Sequence, residues 1–188
     1  MVKKPHVRLA SLCILSLLLS SAAVAAEEPA IRNLSATAVA GKVTVSFQLT
    51  DAFSSEELVA GLQSGVPTSF TYVVEIYRDR PNWFDDGLEE SRIEVIATFN
   101  SVTREYLLNY RRDRKLVRSE SFTDLAALEQ RMTVISERGL FDIGRRRPYK
   151  LKVRVKADLT RGWRMWIVPY TVSTPWRESR VKVVEGQR

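Results

Sequence analysis

Cysteine and histidine each occur once, as Cys13 and His6, and both lie in an N-terminal stretch that reads as a secretory signal. The mature chain therefore carries neither a thiol nor an imidazole. Disulfides, cysteine and histidine nucleophiles, imidazole bases and nearly every zinc, haem or iron–sulfur site are excluded at the outset. No serine sits in a G-x-S-x-G elbow, and no histidine is left to activate one. Past the signal there is no transmembrane segment, no internal repeat and no low-complexity tract.

The signal itself has three parts. Lys3, Lys4 and Arg8 form a charged region, residues 9–19 (LASLCILSLLL) form an apolar run, and Ala23-Val24-Ala25 fits the small-residue cleavage pattern before the polar Glu27-Glu28-Pro29. The apolar run falls short of the roughly 20 residues that cross a bilayer as a helix, so it reads as a cleaved signal rather than an anchor. Cys13 follows Leu12 inside the apolar run, which does not suit a lipoprotein site. The expectation is a signal over residues 1–26, a single β-rich domain over residues 27–188, and an exported, periplasmic protein.

The chain has 29 basic and 22 acidic residues. Cleavage would remove three cations and no acid, leaving 26 basic against 22 acidic and a net charge of +4. A domain of this length can bury a core large enough to stand without disulfides. Export makes nucleic acid an implausible partner, so no nucleic-acid role is expected.

Most segments alternate apolar and polar residues with period 2, the pattern of half-buried strands. Residues 34–39 and 43–49 read as a hairpin around Gly41-Lys42, with Val43, Val45, Phe47 and Leu49 on one face and Thr44, Ser46 and Gln48 on the other. Residues 70–80 place Tyr72, Val74 and Ile76 against Thr71, Val73, Glu75 and Tyr77. Residues 88–99 place Ile93, Val95 and Ala97 against Arg92, Glu94 and Ile96. These two runs have hairpin spacing and are long enough to expect bulges. Residues 104–110 and 115–121 form a second hairpin around Arg112-Asp113; residues 149–159, 164–168 and 179–184 complete the strands. Two short amphipathic helices interrupt them. Ser54 with Glu57 makes a capping box before Leu58, Val59 and Leu62, and Gly65 ends that helix. Thr123 caps a second helix whose stripe is Leu125, Leu128, Met132 and Ile135, running toward Gly139. Each helix has one apolar face and is expected to plug the end or flank of the β structure. The fold class is mainly β: an antiparallel β-sandwich, or a partly open barrel, with two short helices and a helix-bearing crossover after the sixth strand.

Three stretches together resemble a known family. They are GVPTSFTYVVEIYRDRPNW (residues 65–83), YLLNYRRDRKLVRSESFTDLAAL (106–128) and YKLKVRVKADLTRGWRMWIVPYTVSTPW (149–176). Their order and spacing resemble the exported bacterial family of domain of unknown function 4390, over most of the mature chain. The resemblance implies a bacterial envelope protein and assigns no catalytic or binding residue. The passage 157–169 departs from it in being less proline-rich than the family pattern leads one to expect.

Three constellations could carry function. Asp85-Asp86 with Glu89-Glu90 is the dense acidic cluster; paired carboxylates can do acid–base work or hold calcium, but the spacing is not that of a calcium loop, and Asp86-Gly87 also suits a turn. Trp83 and Trp163 lie beside arginines, where aromatics can stack on sugars or cations. Lys150, Lys152, Arg154 and Lys156 alternate strictly with Leu151, Val153 and Val155, which puts four cations in a row on one strand face. Neighbouring cations about 7 Å apart repel one another, so acids or an anionic partner must offset them. Glu90 and Glu94 are the acids first expected there. No cofactor or metal is expected. The sequence points to a non-enzymatic binding or scaffolding module whose partner is an envelope protein or an anionic envelope component. The alternatives are a hydrolase using the cluster from Asp85 to Glu90, and a peripheral binder of anionic surfaces through the basic face.

Overall fold

Ala40 and Gly41 both take positive φ, 48° and 79°, the conformation that turns a two-residue hairpin back along its own twist. The turn thus sits one residue earlier than expected. Glycine is needed at the second position, because a Cβ there would stand 2.9 Å from the Gly144 carbonyl oxygen. The turn joins β1 (Ala30–Val39) to β2 (Lys42–Thr50). Val43, Val45, Phe47 and Leu49 of β2 are buried on one face, as the alternation predicts.

The structure is a computed structural model and describes residues 28–78, 86–144, 150–164 and 168–183. After β2 come α1 (Glu56–Gln63), β3 (Thr68–Arg78), β4 (Asp86–Asn100), β5 (Glu105–Arg112) and β6 (Lys115–Phe122). Then follow α2 (Leu125–Thr133), β7 (Val134–Asp142), β8 (Leu151–Arg164), β9 (Val168–Ser173) and β10 (Arg177–Val183). The strands form one sheet in the order β6-β5-β4-β3-β8-β10-β1-β2-β7, with β9 paired to β8. The sheet curls into an open half-barrel, so of the two expected architectures the partly open barrel is the one adopted. All pairs are antiparallel except β1 with β10, which is parallel.

Strand β10 makes the sheet continuous. Its residues 177–180 pair with β8 and its residues 181–183 pair with β1. It thereby joins the β1-β2-β7 group to the β3-β4-β5-β6-β8 group, which would otherwise face each other as two sheets. Across the interior Phe47 of β2 meets Tyr72 of β3 edge to face, with ring centroids 5.1 Å apart. Leu58 and Leu62 of α1 and Leu128 and Met132 of α2 are buried in the same core, so both helices plug the concave side. The Tyr72 hydroxyl donates to the Met132 carbonyl at 2.7 Å and fixes the end of α2 against β3.

Several local expectations shift. The N-cap of α1 is Ser55, whose Oγ accepts from the Leu58 amide, while Ser54 donates to the Asp51 carbonyl. Asp124 rather than Thr123 caps α2, accepting from the Ala127 amide. That helix ends at Thr133, and Ile135 belongs to β7. The strand is hard to see in the sequence because its second inward residue is a buried carboxylate, Glu137, and because Gly139, at positive φ, sits where the register with β2 slips. The β5–β6 turn is Asp113-Arg114, one residue later than expected. Its Asp113 carboxylate accepts from Ser91 Oγ and from the Arg92 amide at 2.8 Å, pinning the turn to β4. The long β3–β4 hairpin does carry a bulge, between Ile76 and Tyr77. Of the strand expected at 164–168, Arg164 ends β8 and Val168 begins β9, and residues 165–167 lie outside the described residues.

Candidate functional site

Strand β8 sends Leu151, Val153, Val155, Ala157 and Leu159 into the core, and Lys152, Arg154, Lys156 and Asp158 outward. The cations expected on one face are there. Their neighbours are not those expected: β8 lies between β3 and β10, so Glu90 and Glu94, on β4, are one strand further away. The acid that meets the strip is Glu75 of β3, directly opposite Arg154 in register. Arg154 Nε and Nη2 both lie 2.7 Å from Glu75 Oε2. Glu90 instead accepts from Arg92 Nε at 2.7 Å, and this hydrogen bond raises the Arg92 guanidinium above its ordinary value. Lys156 Nζ is 3.6 Å from Asp158.

The registers across β10, β8, β3 and β4 arrange this outer face in bands of charge. Arg180 and Lys152 form a basic band. Next to it Glu178, Glu75 and Glu90 flank Arg154 in an acidic one. Lys156 and Arg92 then lie on either side of Val73, and Asp158 and Glu94 on either side of Thr71. Successive bands are about 7 Å apart, close enough for each to offset its neighbours. Val73 and Tyr77 also belong to this face yet are buried; the Arg154 guanidinium covers the Tyr77 ring, 5.3 Å from its centre.

One large aromatic stands clear of this surface. Trp176, just before β10, is 39% exposed, with the Arg154 guanidinium 4.8 Å and the Lys156 ammonium 5.5 Å from its ring centre. The backbone that carries it is fixed two residues earlier. The Thr174 amide donates to the Ala157 carbonyl at 2.8 Å and Thr174 Oγ1 accepts from the Ala157 amide at 2.9 Å, where the pairing along β8 passes from β9 to β10.

Residues 26–167 match the family described as domain of unknown function (DUF4390). The chain belongs to this family. Neither a search of curated proteins nor one of solved structures gives a match. The DUF4390 match ends between β8 and β9, so Trp176 and the sheet-joining strand β10 lie beyond it.

The remaining predicted residues scatter. Lys150 is exposed just ahead of β8. Trp83 and Asp85 lie outside the described residues, as does the side chain of Trp163, whose backbone pairs with Pro169. Of the acidic cluster, Glu89 is in register with the inward-facing Ile76 and Glu90 with the outward-facing Glu75, so these two carboxylates point to opposite faces. Ser179 and Lys182 have the spacing of a serine–lysine dyad, but residues three apart on a strand also face opposite ways. Among the described residues no group of acids, histidine or cysteine converges as a metal site, and no helix is long and apolar enough to cross a membrane.

A second titratable cluster, which the sequence reading did not find, lies on the inward side where the two ends of the sheet approach. Glu137 of β7 accepts from the Tyr110 hydroxyl of β5 at 2.7 Å and from Arg112 Nη1 at 3.3 Å. Arg118 of β6 stacks over the Tyr110 ring at 3.8 Å, and Glu120 takes two nitrogens of Arg131 from α2. Burial, then the bond to Glu137, pushes the Tyr110 hydroxyl well above its ordinary value. The Arg131 hydrogen bond holds the Glu120 carboxyl below its own. No hydrogen-bonded backbone rung joins β6 to β7 among the described residues, so this network and α2 bridge the seam.

Proposed function

We propose that the chain is an exported, non-enzymatic binding module that engages a protein partner through the outer face of β10, β8, β3 and β4, with Trp176 as the anchor. The observation that carries this reading is Trp176 itself, exposed and held against Arg154 and Lys156 on fixed backbone. Tryptophan and arginine are the side chains that most often dominate protein interfaces, and an aromatic whose position is already fixed loses little freedom on binding. The banding favours a protein over a polyanion. Each basic band has an acidic one beside it, which weakens attraction for a uniform anionic surface while suiting a partner of mixed charge. What supports export is the three-part N-terminal signal read from the sequence.

Site-directed photocrosslinking in the native cell tests the proposal. A photoreactive amino acid at position 176 or 156 is expected to capture a defined protein, and the same group at Thr44, on the outward side of β2, is not. Trp176→Ala is expected to keep the wild-type melting curve and to stop that protein from co-purifying. Equal capture from Thr44, or none from position 176, would overturn the reading.

A further inference from the structure

The path of the sheet ends on β7 at one side and on β6 at the other, and the two edges are unlike. The register of β7 with β2 slips between Val43 and Val45, and Gly139 at positive φ breaks the line of the strand. Irregularities of this kind keep a further strand from adding to an edge. Strand β6 has such a guard only at its start, where Lys115 stands and the register with β5 slips between Tyr110 and Arg111. From Arg118 to Phe122 its rungs with β5 are regular, and it holds neither proline nor glycine. It pairs with β5 alone, and among the described residues no other hydrogen bond reaches its backbone. The seam toward β7 is made by inward side chains, so it leaves the edge of β6 unpaired. Val117, Ser119 and Ser121 on the outward side of β6 are exposed.

The order of side chains along this edge selects the strand that can join it. When two copies of one edge pair antiparallel about a twofold axis, opposed residues lie on the same face, so the axis passes through a residue that meets its own copy. An axis at Arg118 or at Glu120 would set like charges directly opposite each other, which is destabilising. An axis at Ser119 does the reverse. Arg118 then stands opposite Glu120 of the partner subunit, Glu120 stands opposite the partner's Arg118, and the small Ser119 meets its own copy. Val117 falls opposite the partner's Ser121, and the slip in register beside it ends the pairing before Leu116. Both charged side chains have capacity left for this. Each is 33% exposed, and Arg118 Nε, 3.1 Å from the Glu120 carboxylate of its own chain, makes no hydrogen bond among the described residues. Glu120 accepts from two nitrogens of Arg131 and still has lone pairs free.

We propose that two copies of the chain pair antiparallel through the free edges of β6, in the register centred on Ser119, so that one sheet runs through both subunits. The Trp176 site lies on other strands, and the dimer stands or falls independently of the protein-binding reading.

The test uses the mature chain from residue 27, which lacks Cys13 and so has no cysteine of its own. Sedimentation equilibrium is expected to show a reversible dimer at about 0.1 mM protein. Ser119→Lys sets two ammonium groups face to face at the axis and is expected to raise the dimer dissociation constant about tenfold, the equivalent of about 1.4 kcal/mol. Thr44→Lys, on the outward side of β2, is expected to leave that constant unchanged. Ser119→Cys is expected to give a covalent dimer with a short bismaleimide, because opposed Cβ atoms lie about 4.5–5.5 Å apart across paired strands, and Thr44→Cys is not. At high dilution every variant is expected to melt within a few degrees of wild type, which separates lost pairing from lost folding. A wild type that stays monomeric at about 0.1 mM overturns the proposal. So does a dimer that survives Ser119→Lys, or one that Ser119→Cys does not crosslink, either of which would place the interface elsewhere.

Discussion

The outward and inward surfaces of the curled sheet both use arginine–carboxylate pairs, and they use them differently. On the outer face Arg154 and Glu75 sit on adjacent strands already tied by a backbone ladder, with side chains 34% and 21% exposed. Their pairing adds little to what the ladder holds. At the inward seam Glu137 is 8% exposed, and its partners Tyr110 and Arg112 come from β5, a strand with which β7 shares no rung. There the side chains are the connection. The same chemistry is decoration where backbone hydrogen bonds have fixed the neighbours and structural where they have not.

The sharpest contrast is between the two sides of one strand. Val153→Asp would put a carboxylate where no solvent reaches, at a desolvation cost of several kcal/mol, and is expected to abolish cooperative melting. Arg154→Ser, one residue on, is expected to leave a folded protein that melts within a few degrees of wild type. Similar melting curves for the two would show that the faces are misassigned.

Next in size is the seam against the outer face. Glu137→Ala leaves the Tyr110 hydroxyl buried without its acceptor and is expected to cost about 2 kcal/mol, the scale of an unsatisfied buried donor. Glu75→Ala is expected to cost about 0.2–1 kcal/mol. Denaturant unfolding of both, with Tyr110→Phe and Arg154→Ala to complete two double-mutant cycles, gives the coupling energies directly. A coupling at Arg154–Glu75 as large as that at Tyr110–Glu137 would break the comparison.

The smallest effect is in pH. Arg131 holds the Glu120 carboxyl below its ordinary value, so this pair adds stability that is fully present above the unfolded carboxylate value of about 4.3 and is lost as pH falls through the lower, folded one. Glu129 opposes it: burial, then Asp124, raises its value, so protonation on acidification favours the folded state there. Melting temperatures measured between about pH 6 and pH 3 should decline less steeply in Glu120→Gln than in wild type, and more steeply in Glu129→Gln. An unchanged slope in Glu120→Gln would remove the Arg131 pair from the seam.

How much of this could be read from the chain alone depends on how far apart the cooperating residues lie. The inward faces of β2, β3, β4 and β8 follow from alternation, because each strand displays its own period within a few residues. The hairpin turns were legible to within one residue, since positive φ at Ala40-Gly41 and Asp113-Arg114 is a local demand. The row of cations on β8 was legible for the same reason. Strand β7 was not, because alternation is recognised by hydrophobicity and its inward Glu137 is a carboxylate that only its distant partners make tolerable. Nor was the prominence of Trp176, which depends on β10 lying beside β8.

The sequence by itself determined the mainly β class, the first hairpins, the sidedness of the strands and the presence of two amphipathic helices. Tertiary structure alone decided that β10 runs parallel to β1 and turns two groups of strands into one open half-barrel, that Glu75 rather than Glu90 or Glu94 meets Arg154, and that β8 outruns β3 to pair with β9. The physical reason is the range of the interactions. Side-chain alternation and turn dihedrals are set by adjacent residues, whereas strand neighbours are chosen by long-range pairings such as that of β3 with β8, which brings Glu75 opposite Arg154, 79 residues on, and whose formation depends on everything folded between them.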